Sequence, residues 1–128
     1  MDFSERTLAV VRSYYISWTS KDFETAVRLL ADDVEVEVPV NEYLDATSFG
    51  AALTAFGGLA KKVELLGEFV RGREAVLLYD MMVPGVGTMR VAEHFTVAGG
   101  KIIRLRQIHD TAPLRAAGDR KSVVEGKS

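Results

Sequence analysis

The side chains best suited to acid-base chemistry lie in VAEHFTVAGGKIIRLRQIHD, residues 91–110: Glu93, Gln107 and His109. If Val91, Phe95 and Val97 mark the buried face of one strand, alternation puts Glu93 on that face. The same count from Ile103 and Leu105 turns Gln107 and His109 inward on the next strand. A carboxyl, an amide and an imidazole facing an apolar interior can move a proton or fix a polar ligand. An isolated buried carboxylate is costly, so Glu93 must be protonated or partnered, and His109 and Tyr14 are the candidate partners. Protonated, it could donate a hydrogen bond to an oxygen that gains negative charge. Ionised beside His109, it would hold the imidazole in one tautomer and raise its basicity. The sequence leaves both states open. The chemistry expected is proton abstraction next to a carbonyl by His109, or in second place by Glu93, while Tyr14 stabilises the enolate oxygen. The same cluster also reads as a satisfied polar network that fixes the packing of helix on sheet.

These residues need elements to position them. From Ser4 to about Thr19 the apolar residues Leu8, Val11, Tyr14 or Tyr15, and Trp18 recur at three and four, which predicts an amphipathic helix capped by Ser4. SKDFETAVRLLADD predicts a second helix, with Asp22 as cap and Phe23, Val27 and Leu30 on one face. DVEVEVP alternates as a strand, with Val34, Val36 and Val38 inward and Pro39 closing it. A loop and a short third helix follow, capped near Thr47 or Ser48 and stopped by Gly57-Gly58. Four strands remain: 62–70, 75–83, 88–97 and 101–109, joined by tight turns. Helix, helix, strand, helix and then a meander predict an α+β fold, with a curved antiparallel sheet wrapped on three helices.

The composition narrows the function classes. With 128 residues the chain suits one domain, over residues 1–112. Residues 113–128 read as a disordered tail, and GDRKSVVEGKS within it resembles the translated read-through of a sequencing adapter, partly foreign to the native chain. There are 16 basic and 18 acidic residues and no basic stripe, which argues against nucleic acid as a partner. Cysteine is absent, and the two histidines have no metal-ligand spacing, so no metal is expected. MDFSERTLAV offers no apolar run for a signal peptide or a membrane span, and the expectation is a soluble cytoplasmic protein.

Two segments carry a family resemblance. VVRSYYISWTSKDFETAVRLLADDVEVEVP looks like paired helices running through a corner into a first strand, and EHFTVAGGKIIRLRQIHD looks like a last hairpin. Together the chain resembles, over residues 4–112, the nuclear transport factor 2-like superfamily, in its SnoaL-like and ketosteroid isomerase-like branch. The resemblance implies a cone-shaped curved sheet closed by helices over a deep pocket, and homodimers that pair through the sheet. It places Tyr14 where the isomerases keep an oxyanion-hole tyrosine, and Glu93 where they keep a protonated aspartic acid. Val38 falls at the position of their general base, so isomerisation on that plan is not expected. Gln107 likewise falls where the epoxide hydrolases of the superfamily would keep an aspartate.

Strand phase, helix spacing and this resemblance together predict a pocket lined by Tyr14, Trp18, Val36, Val38, Tyr79, Met81, Glu93, Phe95, Leu105, Gln107 and His109. The catalytic candidates are His109, Glu93 and Tyr14, and the others would hold substrate. The expected function is proton transfer of an isomerase or polyketide-cyclase type on a hydrophobic small molecule, without metal or organic cofactor. A non-catalytic binding pocket or a dimeric association domain is the alternative. His94, Asp80, Arg104 and Arg106 fall on the opposite strand phase and read as solvated or interface positions, and Met82 and Ile108 point to a partner subunit on that face.

Overall fold

Polar-apolar alternation in the second half of the chain sets the architecture. The computed structural model describes residues 2–117. Six strands form one sheet: β1 (Leu30–Val38), β2 (Asn41–Tyr43), β3 (Lys62–Arg71), β4 (Glu74–Val83), β5 (Gly87–Ala98) and β6 (Lys101–His109). Their order across the sheet is β2-β1-β6-β5-β4-β3. The expected meander runs from β3 to β6 through antiparallel neighbours. The sheet is not antiparallel throughout, however, because β1 runs parallel to β6. The chain leaves β1 at one side of the sheet and re-enters at the far edge as β3, and three hairpin reversals bring β6 back beside β1 in the same direction. β2, expected as loop, pairs with β1 from Val36–Tyr43 to Val38–Asn41. Three residues are too few to display an alternation.

Three helices close one face of the sheet: α1 (Phe3–Thr19), α2 (Phe23–Arg28) and α3 (Ala46–Gly57). Each begins at an aspartate, with Asp2, Asp22 and Asp45 accepting the backbone N–H of Glu5, Thr25 and Ser48. Asp22 is the cap that was expected. The caps expected at Ser4 and at Thr47 or Ser48 are instead Asp2 and Asp45, whose carboxylates also answer the positive end of the helix dipole. Ser4 is used elsewhere: its hydroxyl accepts the Gly72 N–H at 2.9 Å, and Thr7 donates to the Gly72 carbonyl at 2.7 Å. Both bonds tie α1 to the β3–β4 turn, so α1 lies across β3 to β6. Val11, Tyr14 and Trp18 of α1 join Leu77, Phe95 and Leu105 of the sheet in one core. α2 and α3 meet at Gly50, where a Cβ would stand 2.8 Å from Val27 Cγ2.

Bulges bend the sheet over these helices. They interrupt the register of β1 with β6, of β3 with β4 and of β5 with β6. The third bulge corrects one expectation. The β5–β6 hairpin turns through Gly99 and Gly100, both at positive φ, and its ladder starts with Ala98–Lys101 and Val97–Ile102. The next pair is Thr96–Arg104, so Ile103 is the extra residue. Ile102 is therefore the buried isoleucine, at 0% exposure, and Ile103, expected inward, is 39% exposed.

The end of the domain also differs from expectation. Residues 113–117, assigned to a disordered tail, continue a helix that starts at Ala112. Asp110 Oδ1 accepts the Ala112 N–H at 2.9 Å, Pro113 suits a first helical turn, and Leu114 packs on the core. The rest of the tail, with its adapter-like end, lies outside the described residues. On the outer face of the sheet, His94 bridges Glu74 and Arg106, with Nε2 2.9 Å from Glu74 Oε1 and Nδ1 3.3 Å from Arg106 Nη2. Arg90 makes a two-point contact with Asp80. No helix among the described residues is long and apolar enough to cross a membrane.

Candidate functional site

Cross-strand register decides which inward polar groups meet. Glu93 of β5 stands opposite Gln107 of β6, and His109 stands opposite Val91. Gln107 Nε2 donates to Glu93 Oε2 at 2.7 Å. The hydroxyl of Tyr79, from β4 on the other side, donates to Glu93 Oε1 at 3.3 Å. Tyr79 pairs with Val91 in the ladder, so it reaches Glu93 along the diagonal of the same face. The partners expected for Glu93, His109 and Tyr14, are thus replaced by Gln107 and Tyr79. His109 is displaced by the ladder itself: Gln107 occupies the opposite position, and His109 sits one inward step nearer the strand end. There it is half-buried, with Nδ1 3.1 Å from the Asp110 carbonyl oxygen.

Tyr14 is fully buried, with its ring edge-on to Phe95 at a centroid separation of 5.7 Å. Its hydroxyl has no hydrogen-bond partner among the described residues, and it does not reach the cavity wall.

Burial sets the electrostatics. Glu93 is 1% exposed, and its pKa is pushed up to about 7, chiefly because burial disfavours the carboxylate. The hydrogen bonds from Gln107 and Tyr79 pull the other way and keep it from rising further. Burial, with the nearby Glu93 charge, holds the hydroxyls of Tyr79 and Tyr14 well above the usual phenol range. Both phenols therefore stay protonated at neutral pH, and the carboxyl of Glu93 changes charge there.

Above this group lies a cavity of about 240 Å³. Trp18 of α1 lines it, with Val38, Tyr79, Met81, Glu93, Gln107 and His109 of the sheet. Val36, Phe95 and Leu105 also face inward but do not reach it: α1 covers Phe95 and Leu105, and Val36 is sealed into the core on β1, where α3 packs. The opposite wall was not anticipated. Phe49, Leu53 and Phe56 of α3 supply much of it, with Pro39, Val40 and Tyr43 around the β1–β2 turn and Leu114 from segment 112–117. The α3 residues carry a signal in their helical spacing, but spacing alone does not say what they cover. Trp18 and Tyr79 stand 5.7 Å apart, centroid to centroid, and Tyr15 joins them at 6.0 Å and 5.7 Å. This aromatic cluster braces Tyr79 behind its hydrogen bond to Glu93. The described residues hold no group of three or more His, Asp or Glu side chains that could hold a metal ion.

This arrangement of sheet, helices and cavity has counterparts among known proteins. Residues 11–105 match the profile of the SnoaL-like domain. The chain belongs to the SnoaL-like domain family. The SnoaL-like chain is 30% identical to a protein of known crystal structure from Kribbella flavida DSM 17836, with a TM-score of 0.85 over 90% of this chain and 95% of that one. A candidate ketosteroid isomerase from the same organism is 17% identical, with a TM-score of 0.78 over 88% of this chain and 83% of its own. An epoxide hydrolase from M. tuberculosis, of the limonene epoxide hydrolase-like kind, is 17% identical with a TM-score of 0.74, over 98% of both chains. The last two likenesses show the nuclear transport factor 2-like fold alone. A comparison with curated proteins gave no match.

Proposed function

We propose that this SnoaL-like protein is a cofactor-independent enzyme that moves a proton next to the carbonyl of a hydrophobic small molecule, with Glu93 as proton acceptor. One observation carries the reading: a carboxyl whose pKa stands at about 7 forms part of the wall of an otherwise largely apolar cavity. A base is most useful when its pKa lies near the working pH, since it is then both free to accept and strong enough to do so. Gln107 and Tyr79 fix the orientation of Glu93 through its two oxygens. His109, at the strand end, is available to a substrate oxygen through Nε2, which carries a proton to donate when the ring is an imidazolium, because Nδ1 is directed at the Asp110 carbonyl oxygen. In this reading it takes the stabilising role first expected of Tyr14, and Glu93 takes the role first expected of His109. The protein acts as a homodimer through the outer face of the sheet, a reading supported by the row Leu78–Ala92–Ile108, which ends in a 68% exposed isoleucine.

Deuterium exchange of the α-protons of 2-tetralone, a neutral bicyclic ketone, followed by NMR tests the reaction. The wild-type protein should accelerate exchange, and Glu93→Gln should lose about 10²-fold or more of that acceleration while remaining folded. Non-catalytic binding is the second reading, favoured by the hydrogen bonds that already occupy both Glu93 oxygens. Saturable binding of the ketone with no acceleration would select it.

A further inference from the structure

The polar part of the cavity has a one-sided hydrogen-bonding character. The two neutral donors beside Glu93, the Tyr79 hydroxyl and the Gln107 amide, are both turned onto its oxygens. A carboxylate offers about four lone-pair sites, so each oxygen keeps room for one more donor. Gln107 Oε1 is a further acceptor and makes no hydrogen bond among the described residues. Among the described residues, no lysine or arginine lines the cavity. The inner wall therefore offers acceptors and negative charge, while the further donors, the Trp18 indole N–H, the Tyr43 hydroxyl and His109, belong to other parts of the lining. Around it stand the faces and edges of Trp18, Tyr43, Phe49 and Phe56, a lining that attracts a cation electrostatically as well as burying its apolar parts.

We infer that the cavity selects hydrophobic molecules carrying a basic nitrogen, whose ammonium N–H is held against the Glu93 carboxylate inside the aromatic wall, and that it turns away carboxylates and phosphates. The inference rests on the reading above only in taking this cavity as the ligand site. For the proton-transfer reaction it names the substrate class, a carbonyl compound with a protonated amine or basic ring nitrogen. The cation would keep Glu93 in its base form at neutral pH, and hydrophobic amines lacking the carbonyl would compete with substrate. An anion would meet an unfavourable charge with no lysine or arginine among the described lining residues to offset it, and a neutral carbonyl would find its donors away from Glu93, at Trp18, Tyr43 or His109.

Three indoles that differ in side-chain charge test this by calorimetry on the full chain: tryptamine, indole-3-acetamide and indole-3-acetate. At pH 8, tryptamine should bind about tenfold or more tighter than the acetamide, the increment expected of a charge-assisted hydrogen bond, and the acetate should show no binding. Glu93→Gln should bring tryptamine down to the acetamide's affinity and leave the acetamide unchanged. If that variant fails to fold, the pH dependence of binding serves instead. The titratable groups facing Glu93 are the hydroxyls of Tyr79, Tyr14 and Tyr15, with His109 at the strand end. The phenols do not change charge below pH 8, and a His109→Gln background removes the imidazole, so in that background tryptamine affinity should rise with pH across neutrality while acetamide affinity does not. Equal affinities of tryptamine and acetamide, or tighter binding of the acetate, overturn the charge selection and leave the cavity as ligand site. No binding by any of the three overturns the cavity reading as well.

Discussion

Replacing Glu93 by glutamine should change how stability depends on pH. The carboxyl has an ordinary value of 4.5 and is pushed up to about 7 in the folded protein. Between those values the folded protein holds a proton that the unfolded chain has released. The slope of unfolding free energy with pH is then negative, so stability is lost as pH rises from about 4.5 to about 7 and is level above that. At about 1.4 kcal/mol per pH unit, the loss amounts to about 3 kcal/mol. Glutamine is neutral throughout and nearly the same shape. It can still accept from Tyr79, and the Gln107 amide can turn to present its oxygen to the new NH₂ group. The difference in stability between wild type and Glu93→Gln should therefore fall by about 3 kcal/mol across that window. Other carboxylates, such as Glu68 and Asp80, whose pKa values are lowered by Arg12 and Arg90, contribute the opposite slope. They are common to both proteins and cancel in the difference. Urea unfolding from about pH 4 to about pH 8.5 measures it, read by Trp18, the only tryptophan and 3% exposed beside Tyr79. A difference constant to within about 0.5 kcal/mol over the whole range would refute the reasoning, because Glu93 would then titrate alike folded and unfolded.

Three further outcomes are expected. Gln107→Leu removes a hydrogen bond that favours the ionised form, so the midpoint of Glu93, followed by ¹³C NMR of its carboxyl, should rise above about 7, and a fall would contradict the role given to Gln107. Gly50→Ala places a methyl 2.8 Å from Val27 Cγ2 and should destabilise by about 1–3 kcal/mol in thermal unfolding, with no loss if α2 and α3 can part freely. Ile108→Lys puts a charge at the exposed end of the apolar row on the outer sheet face and should turn a dimer into a monomer by light scattering; a wild type that is already monomeric rules the interface out.

Much of the fold was legible because burial imposes a period. The strands from Lys62 to His109 alternate so regularly in the sequence that their ends fall within one residue of expectation, and β5 alternates buried and half-buried from Val91 to Ala98. Where the period is too short or locally broken, the sequence misleads. β2 has three residues, and Ile103 is the extra residue of a bulge that nothing in GGKIIRLRQ announces.

For the site, the sequence by itself determined which side chains face inward: Glu93, Gln107, His109, Tyr79, Met81 and Val38 all line one cavity. It did so because a strand has two faces and apolar neighbours choose between them. It did not determine who bonds to whom. An unbroken ladder from the Gly99-Gly100 turn would set Glu93 opposite Arg106. The bulge advances β6 by one residue and sets it opposite Gln107. That single step gives the carboxylate an amide in place of a guanidinium and lets burial carry the Glu93 pKa to about 7. The tertiary structure also decided that α1 covers Phe95 and Leu105 while α3 walls the space above Glu93. Helical spacing says which residues share a face, but which sheet surface that face covers depends on contacts distant in sequence.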